Sequence, residues 1–263
     1  MDETIRIERS GAVATLTLNR PQVHNAFDDT LIAQATAALE SMSADSRIRA
    51  LVLTGAGATF SAGADLNWMR RMAKAGAGEN RDDALRLAKL LRSLQFFPKP
   101  CVARVNGSAY GGGVGLVACC DIAIGVEGAK FSLSEVKLGL VPATIAPYVV
   151  QAIGARQARR LFVSAEVFDA GEAARIGLLH QCVAADRLDE AVDRQLHSLA
   201  KGGPVAQHEA KQLALRSAGM TPASAERLDA ENAELIARLR VSAEGQQGLS
   251  AFLEKHPPAW VQE

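Results

Sequence analysis

Three stretches of this chain combine residue types whose chemistry depends on their spacing. FSAGADLNWM occupies residues 60–69, and AYGGGVGLVACCD occupies residues 109–121 with three consecutive glycines. SLSEVKLGL, residues 132–140, places Glu135 among Phe131, Leu133, Val136 and Leu138. Glycine has no Cβ, so backbone at 111–113 can come close to another group. A helix starting inside that run presents free N–H groups and the positive end of its dipole. Two converging backbone N–H groups stabilise a developing oxyanion without any side chain. The same glycines also fit a plainer role in tight helix–strand packing, and the run alone leaves both open. Glu135 is either a surface residue of a strand or an inward acid with a raised pKa.

Other chemical templates fail. GAGATF (55–60) lacks the third glycine of a dinucleotide fingerprint, and no GxxxxGK[ST] loop occurs. NGSAY is not a nucleophile elbow, because Asn106 stands where GxSxG requires glycine. The five histidines show no HExxH or similar spacing, so no metal site is expected.

The elements that must position these loops follow from periodicity. AVATLTLNRP (12–21) reads as a strand and turn, and AFDDTLIAQATAALESM (26–42) as a helix with Leu31, Ala35, Ala38, Leu39 and Met42 on one face. RIRALVLTGAG (47–57) is a continuous apolar run ending in glycine, as a buried strand requires. GENRDDA (78–84) is the most loop-like interior piece, followed by a helical face of Leu85, Ala88, Leu91 and Leu94. KPCVARVNG is strand, VGLVACCD is helix, and IAIGVEGAKFSLSEV is strand, turn, strand. VPATIAPYVVQAIG reads as a helix from near Pro142 to Gly154. Strands and helices thus alternate over roughly the first 180 residues, an α/β plan whose strands empty into site-building loops. Later segments are almost wholly helical. The division is 1–190 as core and 191–263 as helical C-terminal region.

Composition narrows the function classes. Of 263 residues 48% are apolar, enough for a large core, and 29 basic side chains balance 29 acidic ones. Zero net charge argues against nucleic acid or a membrane surface as partner. No run approaches the ~18 apolar residues of a membrane span, and the charged start MDETIRIERSG does not resemble a secretory signal. Cys101, Cys119, Cys120 and Cys182 form no CxxC pair, which suits reduced thiols in the cytoplasm.

NRPQVHNAF, FSAGADL, ARVNGSAYGGGVGL, CDIAIGVEGAKFSLSEVKLGLVP, AARIGLL and AFLEKHPPAW, taken in order, resemble the crotonase (enoyl-CoA hydratase/isomerase) superfamily along nearly the whole chain. The resemblance implies a spiral of ββα units with a helical C-terminal trimerisation region, assembled as a homotrimer or a hexamer. It implies an acyl-CoA thioester substrate, with coenzyme A as part of the substrate and no separate cofactor. The oxyanion hole is expected at the backbone N–H groups of Ala64 and Gly112. The turn through Ala62, Ala64, Asp65 and Leu66 is expected to cradle the adenine end of CoA. Phe252 and Lys255 are expected to reach the CoA of a neighbouring subunit.

Family hydratases pair two glutamates twenty residues apart. Glu135 matches the second, and Gly115 stands at the first. One glutamate suffices for an isomerase that moves a double bond from C3 to C2. GLVACCDIAIG, LSEVKLGLVPATIAPYVVQAIG, ADLNWM and the tail RVSAEGQQGLSAFLEKHPPAW are similar to the bacterial methylglutaconyl-CoA hydratase branch and its isohexenylglutaconyl-CoA relatives. That likeness implies water addition to a branched, carboxylated 2-enoyl-CoA in leucine or terpene breakdown. An RNA-binding role, known for one mitochondrial relative of that branch, finds little support in RRMAK, the cleanest basic run. Trp68 and Met69 suit either an acyl-pocket wall or ordinary packing, Asp65 suits a helix cap, and His24 suits an exposed site near CoA phosphates. Asp121 suits structural hydrogen bonds, and Arg70, Arg71 and Lys74 a solvated helix face.

Overall fold

A computed structural model describes residues 3–261. Nine strands occur among them: β1 (Ile5–Ser10), β2 (Val13–Leu18), β3 (Ala50–Gly55), β4 (Cys101–Val105), β5 (Ala109–Tyr110), β6 (Ile122–Val126), β7 (Lys130–Ser132), β8 (Phe168–Asp169) and β9 (Gln181–Val183). The α-helices are α1 (Asp29–Ala44), α2 (Leu66–Lys74), α3 (Ala77–Gln95), α4 (Gly112–Ala118), α5 (Ala146–Ser164), α6 (Ala170–Arg175), α7 (Leu188–Leu199), α8 (Pro204–Ser217), α9 (Pro222–Arg240) and α10 (Ala243–Glu254).

The main sheet has six strands in the order β1-β2-β3-β4-β6-β9, and β5-β7-β8 form a smaller one. Only the β1–β2 pair is antiparallel in the main sheet; the rest runs parallel. β2 buries Ala14, Leu16 and Leu18 and half-buries the residues between, the period-two pattern of a strand covered mainly on one face. β3 is buried throughout, as a parallel strand covered on both faces must be. Its register sets Val52 beside Val102 and Leu53 beside Ala103, so β3 and β4 end together. The two glycine-bearing loops leave the sheet from those adjacent ends.

Three expectations need correction. GENRDDA is no loop: it lies in the first turns of α3. Two of its polar residues, Asn80 and Asp83, face inward and are buried, while Glu79, Arg81 and Asp82 are exposed. Asn80 Nδ2 donates to the carbonyls of Met72, Ala75 and Gly76, closing the end of α2. The helix expected from Pro142 begins instead at Ala146, with Pro147 in its first turn; it breaks at Gly154, the expected end, where φ is +74°, and a second helical stretch continues to Ser164. SLSEV does not continue as strand: Glu135 opens a 3₁₀ turn, Glu135–Leu138. The β1 hairpin strand and the short strands β5, β8 and β9 carry too little periodicity to be read locally.

The helical C-terminal stretch returns to the core. α9 packs along α3, while α10 packs against α2 and the 3₁₀ turn. Two glycines allow the second contact. A Cβ on Gly248 would stand 2.3 Å from the Leu138 carbonyl oxygen, and one on Gly139 would stand 2.7 Å from that of Glu244. Among the described residues no helix is long and apolar enough to cross a membrane.

Candidate active site

The first loop is built by its own hydrogen bonds. Asn25 is fully buried; its Nδ2 donates to the carbonyls of Ala56 and Thr59, and its Oδ1 accepts from Arg20 N. Ser61 Oγ donates to the Asn25 carbonyl and accepts from Gly63 N. Phe27 then brackets residue 64: its N–H donates to Gly63 O at 2.6 Å, and its carbonyl accepts from Asp65 N at 2.8 Å. Ala64 N–H is left without a partner among the described residues. Asp65 ends the loop by capping α2, accepting from Asn67 N and Trp68 N. Arg20 locks this arrangement, meeting Asp28 at 3.0 Å and Asp65 at 3.1 Å and donating to the Ala26 carbonyl.

The second loop lies against the first. Tyr110 N donates to Ser61 O, and Gly111 N to Ser132 O. Gly111 has φ +48° and ψ −118°, a conformation closed to side chains, and it turns the chain into α4. Gly112 N–H, at the open start of α4, also has no partner among the described residues. A Cβ placed on Gly63 would stand 3.8 Å from Gly112 N, so the second loop comes against the residue just before Ala64, and Ala64 and Gly112 line one cavity. Gly112 itself lies under the Phe27 ring, where a Cβ would stand 2.5 Å from Cε2. Both halves of the glycine question are therefore answered: the run packs tightly and also frees a donor.

Glu135 reaches the same place. A Cβ on Gly111 would stand 3.1 Å from its Oε1, and Oε2 is buried without a hydrogen-bond partner among the described residues. Burial pushes this carboxyl up to about 7. The side chain as a whole is half-buried, because one edge opens onto a cavity of about 340 Å³. Ala64, Gly112 and Glu135 all line that cavity, with Phe27, Trp68, Met72 and Ile145 among the apolar residues around them. Glu135 is the only carboxylate on its described lining.

Gly115 has a physical explanation. A Cβ there would stand 2.3 Å from Ile145 Cγ2, and Ile145 is itself buried. The space above residue 115 is thus filled by a side chain from the PATIAP segment rather than left as a hole.

Of the residues expected near CoA, the cavity brings together Ala62, Ala64 and Phe252. Phe252 lines the cavity that Glu135 of its own chain also lines. The Asp65 carboxylate is turned away, held by Arg20 and the α2 cap. Leu66 and Lys255 are exposed and outside the cavity lining, Lys255 ending α10 with φ +61°. His24 is exposed and contacts Thr59 Oγ1, and Arg71 pairs with Asp29 on the surface. Asp121 accepts from Cys101 N and Lys211 Nζ, a structural role. Trp68 and Met69 both line the cavity. Sequence reasoning missed Ile145, Arg20 and Arg240, all placed by contacts distant in the chain.

With this geometry in view, comparison with known proteins is informative. The family described as Enoyl-CoA hydratase/isomerase matches residues 8–263, and the chain belongs to that family. It is similar to a putative enoyl-CoA hydratase of Thermus thermophilus, 35% identical over 97% of this chain and 99% of the relative. It is also similar to the 2,3-dehydroadipyl-CoA hydratase of Escherichia coli, 34% identical over 98% of both chains. A crystal structure described as a putative enoyl-CoA hydratase/isomerase (crotonase) from Legionella pneumophila superposes with a TM-score of 0.79 at 46% identity, covering 98% of this chain and 99% of that one. The fold is accordingly the mixed α/β crotonase fold with a helical C-terminal region.

Proposed function

We propose that the protein adds water across the double bond of a branched, carboxylated 2-enoyl-CoA, with 3-methylglutaconyl-CoA and isohexenylglutaconyl-CoA as the leading substrates. The observation that carries this is the meeting of two unpartnered N–H groups, Ala64 and Gly112, with one raised carboxyl, Glu135, in an apolar cavity. The named substrate of the Escherichia coli relative, a dehydroadipyl thioester, supports a carboxylated acyl group.

The thioester carbonyl oxygen accepts from the two N–H groups. As water bonds to C3, negative charge moves onto that oxygen, where each donor is worth about 3–4 kcal/mol in the transition state. The protonated Glu135 carboxyl gives its proton to C2, and the water gives one back to Glu135. Atoms balance with a single carboxylate, because the proton leaving the water replaces the one delivered. The substrate enters this assignment as a CoA thioester alone, with no separate cofactor. It also includes a homotrimer or dimer of trimers, supported by the exposed apolar residues Val163, Val205 and Leu213, and a cytoplasmic setting, supported by four free cysteines.

The lone carboxylate favours a second reading, a Δ3–Δ2 enoyl-CoA isomerase, in which Glu135 first removes a proton. An ultraviolet assay separates the two. Loss of enoyl-thioester absorbance with methylglutaconyl-CoA or isohexenylglutaconyl-CoA, and little with crotonyl-CoA, is the expected result. A gain of absorbance with a 3-enoyl-CoA alone would replace the hydratase with the isomerase. The pH profile gives an independent sign. Hydration through the protonated acid loses kcat/KM as pH rises through about 7, whereas a base-first isomerase gains it.

A further inference from the structure

We propose that Arg240 forms an anion-binding subsite that holds the far carboxylate of a dicarboxylic acyl-CoA. The proposal rests on the carboxylated-substrate reading and assigns that specificity to one residue at the end of α9.

Arg240 lines the same cavity as Glu135, yet its side chain is only 16% exposed. Its guanidinium lies over the Trp68 ring, 5.8 Å from the centroid, and Trp68 is in the first turn of α2, just beyond the Ala64 donor. One nitrogen makes all its contacts. Nη1 donates to Asn80 Oδ1 at 3.2 Å and to Asp83 Oδ2 at 3.1 Å. Nε and Nη2 have no partner among the described residues. Those two form the side-on fork of a guanidinium, whose parallel N–H groups match the two oxygens of a carboxylate.

The charge count leaves room for an anion. Asp83 is buried and already shared: Oδ1 accepts from Trp68 Nε1 at 3.0 Å and meets Arg86 at 3.4 Å, while Oδ2 takes Arg240. Two guanidinium groups thus share one carboxylate. Lys137 and His256 also line the cavity, but both are exposed and free to stay in water. An acyl carboxylate entering an otherwise apolar cavity needs a fixed, partly desolvated cation, and Arg240 is the one held in place.

Titration calorimetry with two saturated probes tests this without turnover. Glutaryl-CoA carries the distal carboxylate and butyryl-CoA lacks it. The wild-type protein is expected to bind glutaryl-CoA at least tenfold more tightly. Arg240→Met should weaken glutaryl-CoA by about 30-fold, equivalent to about 2 kcal/mol, and close the gap. Equal weakening of both probes would mean that the guanidinium holds the CoA moiety, and would overturn the subsite. So would a wild-type protein with no gap. Should Arg240→Met fail to fold, Arg240→Lys keeps a cation beside Asp83 and loses the fork. The gap must then narrow by about tenfold; an unchanged gap overturns the proposal. A preference for methylglutaconyl-CoA over crotonyl-CoA in turnover, with the probe gap intact in the variants, leaves the hydratase reading standing and removes Arg240 from it.

Discussion

At the scale of single residues, the proposed chemistry turns on Glu135 and Gly115. Glu135→Gln should lower kcat by about 10²–10⁴, the range of a lost acid–base group, in a steady-state assay on the preferred thioester. The same variant should reveal the cost of burying the acid. Below about pH 4.5 the carboxyl is neutral in folded and unfolded chains alike. Between 4.5 and about 7 the unfolded chain loses the proton while the folded one keeps it, so the wild type loses stability as pH rises. The Gln variant escapes this. Its stability should match the wild type at pH 4 and exceed it at pH 8 by at most about 3 kcal/mol, read as a higher melting temperature at pH 8 alone. A uniform difference at both pH values would refute the raised carboxyl. Gly115→Glu should unfold or badly destabilise the protein, because its Cβ alone collides with Ile145. Gly115→Glu with Ile145→Gly should fold and hydrate crotonyl-CoA faster than the wild type. Failure of the pair to fold would show that more than Ile145 fills the space.

At the scale of elements, the site depends on joints between loops and helices. The FSAG and GGG loops are in register because β3 and β4 end side by side and Tyr110 N donates to Ser61 O. The 3₁₀ turn bearing Glu135 is propped by α10 through Gly248 and Leu138. Gly248→Ala must separate them, at a cost of about 1–3 kcal/mol, and should lower kcat about tenfold with a smaller change in KM. Melting curves and single-turnover rates would check both effects; an unchanged rate would mean that the turn holds its position alone. This scale also marks what the sequence made legible. Ala64, Gly112 and Glu135 stand out through the family resemblance that their short motifs carry; the residues alone leave Glu135 open between a surface strand position and an inward acid. Arg240 with Asp83, Arg20 with Asp65, and Ile145 over Gly115 are pairings across the chain, invisible to periodicity. GENRDDA misled for the same reason: its inward Asn80 and Asp83 look like loop polarity until α2 and α9 supply their partners.

At the scale of the molecule, the parallel sheet supplies a rigid base and the helical region covers it. Val163, Val205 and Leu213 stay exposed on the single chain. Light scattering after size exclusion should give three or six times the chain mass; a single-chain mass would leave those residues in water and count against the trimer. α10 is the last helix of the described chain, and through Phe252 and Leu249 it forms part of the cavity wall. Consider the chain as it leaves a ribosome. The two donor loops and Glu135 emerge more than a hundred residues before α10 does. A nascent or prematurely stopped chain therefore holds Ala64, Gly112 and Glu135 before it has the Phe252 and Leu249 part of the cavity wall. On the proposed function, competence waits until α10 has been synthesised.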